Sequence, residues 1–286
     1  MQWGTPVEEL APYIDSCLLC GACEPVCPED ISLLGINIRQ RRLLNLSRMK
    51  QPAWYPNELG TTYDYSPEIM SAKTLLLAGR PIKQHADICN AMIRLLGGSG
   101  SATVATDDGA DISDALEAGL FVQSERILQF VAGLAKADTL VAAEGLMHRP
   151  LKKWLPEKKI MGLGEALLAN SSIRLSIRPE DLYIIESRGY HSDHERLVVF
   201  YDKLRRETGC STNLDLQRMA IPTGASSLQG RHDLESAGCL MQARWILHGR
   251  KPKRIIVEDF ADIEVFRLVT DTPVIHLSMF GIEDDI

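Results

Sequence analysis

Cys17, Cys20, Cys23 and Cys27 stand in a single stretch, CLLCGACEPVCP, that gathers four of the chain's seven cysteines. Thiolates are soft ligands, the kind that iron–sulfur clusters and zinc select. The spacing C-x2-C-x2-C winds three sulfurs around one side of a compact cube, and Gly21 lets the backbone approach closely. The following x3-C-P completes the run typical of ferredoxin-type 4Fe-4S sites. A structural zinc knot usually takes paired Cys-x2-Cys or Cys/His ligands from separate segments. One 4Fe-4S cluster on Cys17, Cys20, Cys23 and Cys27 is therefore the first reading and zinc the alternative. In two-cluster ferredoxins the cysteine before proline serves the other cluster, but this chain has no second triplet. The fourth ligand is Cys27, a remote cysteine or a residue of a partner. The remaining cysteines, Cys89, Cys210 and Cys239, do not precede proline.

The elements that must position this loop follow from periodicity. Val7 to Leu19 reads as a short helix. Ile31 to Met49 reads as another, with Leu33, Leu34, Ile38, Leu43, Leu44 and Leu46 as its apolar stripe and Asp30 and Ser32 as candidate caps. Arg39, Arg41, Arg42, Arg48 and Lys50 read singly as a solvated face, and as a group they suit the steering of an acidic redox partner. Gln51 to Pro67 shows no period and reads as an ordered linker lying on the body.

From Lys73 onward short apolar runs alternate with helical ones, the pattern of α/β architecture. The apolar runs are LLLAG at 75–79, TVAT at 103–106, TLVAAEG at 139–145 and KIMGLG at 159–164, then DLYIIES at 181–187, MAIPTG at 219–224, RIIVED at 254–259 and PVIHLSMFG at 273–281. Helices are expected from His85 to Leu96, from Ile112, from Ser124, from Glu195 to Glu207 and around Ala237 to Leu247. Ala137–Val141 aligns with Pro252–Ile256 and Ile160–Leu163 with Val274–Leu277, which reads as an internal duplication. The expected fold is a small helical ferredoxin-like iron–sulfur head over 1–50, a linker over 51–72, and a duplicated α/β body with repeats over 73–170 and 171–286.

Composition narrows the class. A formal charge of −7 and a pI near 5.6 argue against a protein that works by neutralising nucleic-acid phosphates. No apolar run approaches a membrane span, and MQWGTPVEEL lacks the layout of a secretory signal. A cytoplasmic chain is expected, with any membrane association made through a partner. An odd number of cysteines with four bunched together reads as metal binding rather than a disulfide framework.

Weaker constellations have plainer readings. His191 and His194 read as a polar turn leading into a helix rather than as metal ligands. Gly97-Gly98-Ser99-Gly100 reads as helix termination. Asp107, Asp108 and Asp111 fail the EF-hand spacing, and Asp111 reads as a cap. Lys152-Lys153 and Lys158-Lys159 read as solvated ends of a helix and a strand.

The head and duplicated body together resemble the cysteine-rich subunits of heterodisulfide reductase and the related iron–sulfur subunits of glycolate and lactate oxidation systems. The likeness is clearest at Tyr190-His191-Ser192-Asp193-His194-Glu195-Arg196-Leu197. The resemblance implies a Cys-Cys-Gly motif in each repeat. Here the corresponding positions hold Asp107-Asp108-Gly109 and Pro222-Thr223-Gly224, and Cys239 in AGCLMQ falls near the place of the family's last cysteines. Each turn keeps its glycine without the thiols. A site that reduces a disulfide needs several thiolates, so disulfide reduction by this chain alone is rejected.

The functional expectation is an iron–sulfur electron-transfer subunit of a multi-subunit oxidoreductase. It relays electrons through one 4Fe-4S cluster and docks a flavin- or metal-bearing partner through its body. The alternatives are an assembly subunit with a redox-silent cluster, a heterodisulfide-reductase-like enzyme subunit, and an enzyme with a site between the repeats.

Overall fold

Short runs such as Leu75-Leu76-Leu77 and Ile255-Ile256-Val257 are apolar on both alternating faces, as parallel strands covered on both sides must be. A computed structural model describes residues 9–48, 50–56 and 71–281. In it these runs become the strands of two four-stranded parallel sheets, and the protein is α/β. The head contributes helices α1 (Ala11–Asp15) and α2 (Leu33–Ser47).

The first sheet holds β1 (Thr74–Leu77), β2 (Ala102–Val104), β3 (Thr139–Ala142) and β4 (Lys159–Gly162) in the order β2-β1-β3-β4. Its helices are α3 (Gly79–Lys83), α4 (Ala86–Leu95), α5 (Ala110–Ala118), α6 (Ser124–Gly133), α7 (His148–Trp154), α8 (Leu163–Leu168) and α9 (Ser171–Ser176). The second sheet holds β5 (Asp181–Ile184), β6 (Ser211–Thr212), β7 (Arg254–Val257) and β8 (Val274–His276) in the order β6-β5-β7-β8. With it go α10 (Ser187–Ser192), α11 (His194–Thr208), α12 (Leu228–His232), α13 (Cys239–Leu247) and α14 (Asp262–Arg267). The two sheets thus share one strand order. Thr74 and Asp181 open corresponding strands 107 residues apart, and Thr139 and Arg254 open another pair 115 apart.

The pleat sorts the core into three layers. Leu76 and Val141 of the first sheet and Tyr183 and Ile256 of the second turn inward to one shared cluster. Their neighbours Leu75, Leu77, Leu140 and Ala142 face a separate cluster with Phe130 and Leu151. Leu182, Ile184, Ile255 and Val257 face a third with Phe266 and Ile246. The shared layer presses the sheets together. Glycines make room where carboxylates cross between them: a Cβ on Gly145 would sit 1.9 Å from Glu186 Oε2, and one on Gly164 1.8 Å from Glu258 Oε1.

Several expectations change in detail. The first helix covers only Ala11–Asp15, so the cysteines from Cys17 onward lie in a loop, and Val7 and Glu8 lie outside the described residues. The second helix ends at Ser47, with Ser32 as its cap through a 3.3 Å bond from Gly35 N–H. The run MAIPTG forms no strand. Ala220 makes one isolated antiparallel bridge to Leu214, Pro222 has no N–H to donate, and the polar pair Ser211-Thr212 takes the edge beside β5. The linker region from 57 to 67 lies outside the described residues; Trp54, before it, packs 5.8 Å beneath the Arg41 guanidinium. Gly97 and Gly98 end α4 with left-handed φ of +108° and +77°, as expected. Among the described residues no helix is long and apolar enough to cross a membrane.

Candidate functional site

The cysteine loop begins where α1 stops. Arg41 of α2, only 3% exposed, turns inward and donates to the carbonyls of Ile14 (3.3 Å), Asp15 (3.1 Å) and Cys17. This corrects its assignment to a solvated face. Beyond Asp15 the helix does not continue, and the chain winds through left-handed turns at Leu19 (φ 50°) and Gly21 (φ 77°). The turn at Gly21 is close-packed, since a Cβ there would meet the His191 Cβ at 3.4 Å.

Two further side chains take loop carbonyls. Arg188 of α10 donates to Leu18 O from Nε (3.1 Å) and Nη2 (2.9 Å). His191, one turn further along α10, binds Cys20 O through Nδ1 at 2.9 Å. Its Nε2 accepts the Ala220 N–H at 3.1 Å, so the ring is the neutral tautomer with its proton on Nδ1. Burial holds this histidine down at about 4. The expected polar turn at His191 is therefore a helix, and the ring is buried at 3% exposure.

With the carbonyls of Cys17, Leu18 and Cys20 turned into the protein, the amides of Leu18 to Cys23 donate to no carbonyl among the described residues. The Ala22 N–H instead faces the Cys20 sulfur and favours its thiolate, although burial outweighs this and pushes the thiol up. Cys23 is also pushed up by burial and senses Glu24, Cys17 and Cys27. Cys17, Cys20 and Cys27 are half-buried and Cys23 exposed. Among the described residues no three Cys, His, Asp or Glu side chains already stand together as a metal-ligand group. The loop thus brings the four predicted cysteines within electrostatic reach of one another without a preformed coordination sphere.

The remaining cysteines lie elsewhere. Cys89 and Cys210 sit in the shared core and Cys239 in the core of the second sheet. Burial raises all three thiols, Cys239 to about 11, so they behave as small apolar residues. Cys239 lies near the loop: a Cβ on Gly224 would meet both the Leu18 Cδ2 at 2.9 Å and the Cys239 sulfur at 3.5 Å.

Glu117, at the end of α5, ties these parts together. Its carboxylate pairs bidentately with Arg188 (2.9 and 3.0 Å) and accepts the Leu228 N–H at 2.8 Å. Burial opposes the charge, but Arg188, Arg41 and the Leu228 N–H together outweigh it and hold the carboxyl below its ordinary value. The backbone carbonyl of Glu117 accepts from Arg41 at 2.5 Å. Glu24, inside the cysteine run, accepts the Leu34 N–H at 2.9 Å and pairs with Arg149 of α7.

A second polar region lies beyond the carboxyl ends of the strands, where open α/β sheets reverse their strand order and place ligands. Glu144 follows β3, Glu186 follows β5, and Glu258 and Asp259 follow β7. Together with Arg188 and Arg231, Glu144 and Asp259 line a cavity of about 20 Å³, room for one water. Burial raises Glu144, Glu186 and Glu258 to about 7. Glu258 is well held, accepting from Tyr183 (2.7 Å), Tyr201 (2.6 Å) and the Glu186 N–H (2.8 Å). The turns that carry glycine in place of Cys-Cys-Gly are both left-handed, at Gly109 (φ 70°) and Gly224 (φ 85°). Asp107 and Asp108, rather than Asp111, accept the N–H groups of Gly109 and Ala110 that open α5; Asp111 pairs with Arg126.

Sequence reasoning found the cysteines and missed their supports. Arg188 and His191 stand 170 and 171 positions from the loop carbonyls they bind, and Glu117 stands 71 positions from Arg188. The one legible signal was Glu186-Ser187-Arg188, charge placed directly after a buried parallel strand. The chain matches no family model, and no curated protein or solved structure matches it.

Proposed function

We propose that this chain is an iron–sulfur electron-transfer subunit, holding one 4Fe-4S cluster on Cys17, Cys20, Cys23 and Cys27. The observation that carries the reading is the loop's polarity: carbonyls of three of its residues are drawn into the protein by Arg41, Arg188 and His191, while the amides of Leu18 to Cys23 donate to no carbonyl among the described residues and that of Ala22 faces the Cys20 thiol. A thiolate-bound cluster is negatively charged and takes N–H donors at its sulfurs. The donor set fits such a group, and the buried guanidiniums of Arg41 and Arg188, two charges against the one carboxylate of Glu117, leave net positive charge behind the loop. When bound, the cluster accepts and returns one electron. The chain's own part is to hold four thiolates, present amides, and fix the loop against movement between oxidation states. Because burial raises Cys20 and Cys23, loading the site releases their protons.

In this reading Cys27 closes the local set, because Cys89, Cys210 and Cys239 are core residues. The common strand order of the two sheets supports an origin by duplication, and helices α1 and α2 flanking the loop form the ferredoxin-like head. The resemblance to heterodisulfide reductase and glycolate oxidase subunits supports a place in an oxidoreductase complex, with a flavin- or metal-bearing partner docked on the body. The test is iron and acid-labile sulfide measured on anaerobically purified chain. Four irons per chain, lost in Cys17→Ser and Cys27→Ser and retained in Cys89→Ser and Cys239→Ser, is the expected result. Zinc in place of iron, or iron retained without Cys27, overturns it.

A further inference from the structure

A cavity of about 260 Å³ opens against Leu19 and Gly21 of the loop. Leu19, Leu34, Ile38, Leu146, Pro150 and Trp154 give it an apolar wall, and its lining includes none of the four cysteines. Every charged side chain that lines it is a cation: Arg149, Lys153 and Arg188. Two of these charges are already answered, Arg188 by Glu117 and Arg149 by Glu24. Lys153, exposed on α7, has no ion-pair partner among the described residues. An apolar chamber with one unanswered positive charge is complementary to an apolar body carrying one negative group. Its volume lies just below the range for drug-sized ligands, which suits a smaller molecule.

We infer that this cavity binds a small apolar monoanion, its apolar body among Leu34, Ile38, Leu146 and Trp154 and its anionic group at Lys153. The site is separate from the four thiols, and the inference stands whether or not the loop carries a cluster. A molecule bound there rests against Leu19 and Gly21, which places it one residue from Cys20.

Two fluorescent probes with one aromatic body test it on the full chain. Anilinonaphthalene sulfonate carries the anion, and N-phenyl-1-naphthylamine lacks it. The expected result is one saturable sulfonate site with at least about fivefold tighter binding than the neutral probe, a gap that Lys153→Met removes by weakening only the sulfonate. Filling the chamber with Leu34→Trp or Ile38→Trp should abolish binding of both probes while circular dichroism stays unchanged. Equal affinity for the two probes, or sulfonate binding unchanged in Lys153→Met, overturns the proposal. So does unchanged binding in a folded tryptophan variant. Lys153 is an exposed helix residue, so its variant decides the matter even where the tryptophan variants fail to fold.

Discussion

The two α/β units share a strand order and do different work for the head. The first unit holds the helix. The free carbonyls at the end of α5 accept from three side chains of α2: Glu117 O from Arg41, Ala118 O from Asn45 at 2.7 Å, and Leu120 O from Arg42 at 3.4 Å. Orphan carbonyls at a helix end are natural acceptors for cations. While Arg149 of the first unit pairs with Glu24 of the cysteine run, the second unit holds the loop's carbonyls. It does so with donors from α10, Arg188 and His191, and with Gln229 of α12, which donates to Asp15 O at 2.8 Å. A helix end offers acceptors and takes hold of a basic helix; a helix carrying Arg and His offers donors and takes hold of a loop's carbonyls. The Glu117–Arg188 pair joins the two arrangements, and so the difference between the units is also their connection.

That connection is where the largest effect is expected. Glu117→Gln leaves Arg188 buried without its counter-charge, a change of about 3–5 kcal/mol. It should lower the urea midpoint and increase exposure of the loop cysteines to a thiol reagent. Glu24→Gln, which breaks a more exposed pair with Arg149, should cost about 1 kcal/mol or less.

Two glycines separate the holds. A Cβ on Gly119 (φ 72°) would sit 2.7 Å from the Arg42 backbone nitrogen, whereas one on Gly224 (φ 85°) meets the movable end of Leu18 at 2.9 Å. Both alanine variants carry the left-handed cost of about 1–2 kcal/mol. Gly119→Ala adds about 1–3 kcal/mol of overpacking against backbone, and calorimetry should rank it the more destabilising. Amide exchange should show α2 loosened in Gly119→Ala and the cysteine loop in Gly224→Ala.

His191→Gln tests the loop hold alone and should cost about 1–3 kcal/mol at pH 7.5. The sign of its pH dependence follows from burial, which lowers the folded histidine from 6.5 to about 4. The unfolded chain binds that proton more readily, so the stability His191 contributes is complete above pH 6.5 and is lost as pH falls toward 4. Glutamine does not titrate. The deficit of the variant should therefore narrow between pH 7 and pH 4.5 in urea titrations, and a constant deficit would argue against a neutral buried ring. A similarly small effect, about 1 kcal/mol and confined to α2, is expected for Asn45→Ala.

How much of this was legible in the sequence depended on distance along the chain. The cysteine loop was legible because its spacing is local, and the strands because two-sided burial writes a continuous apolar run, as in Leu75-Leu76-Leu77. Strand β6 was not, because Ser211 and Thr212 sit at a sheet edge and carry no apolar signal. Arg41 looked like its neighbours Arg39 and Arg42, and only the fold distinguishes a guanidinium that caps carbonyls from one in water. His191 reads as part of a polar segment, YHSDHER, until β5 and α10 bring it against Cys20, 171 positions away. The supports of the candidate site are long-range pairs, and such pairs leave no local pattern.

The central claim is that the loop carries a redox-active cluster held by both units. A potentiometric titration of the anaerobically purified chain, followed by electron paramagnetic resonance, tests it most directly. The account predicts one reversible one-electron transition accompanied by four irons per chain, shifted to lower potential in Arg188→Met as a compensating positive charge is removed. A chain with no reducible signal, or one whose signal survives Cys17→Ser unchanged, would contradict it.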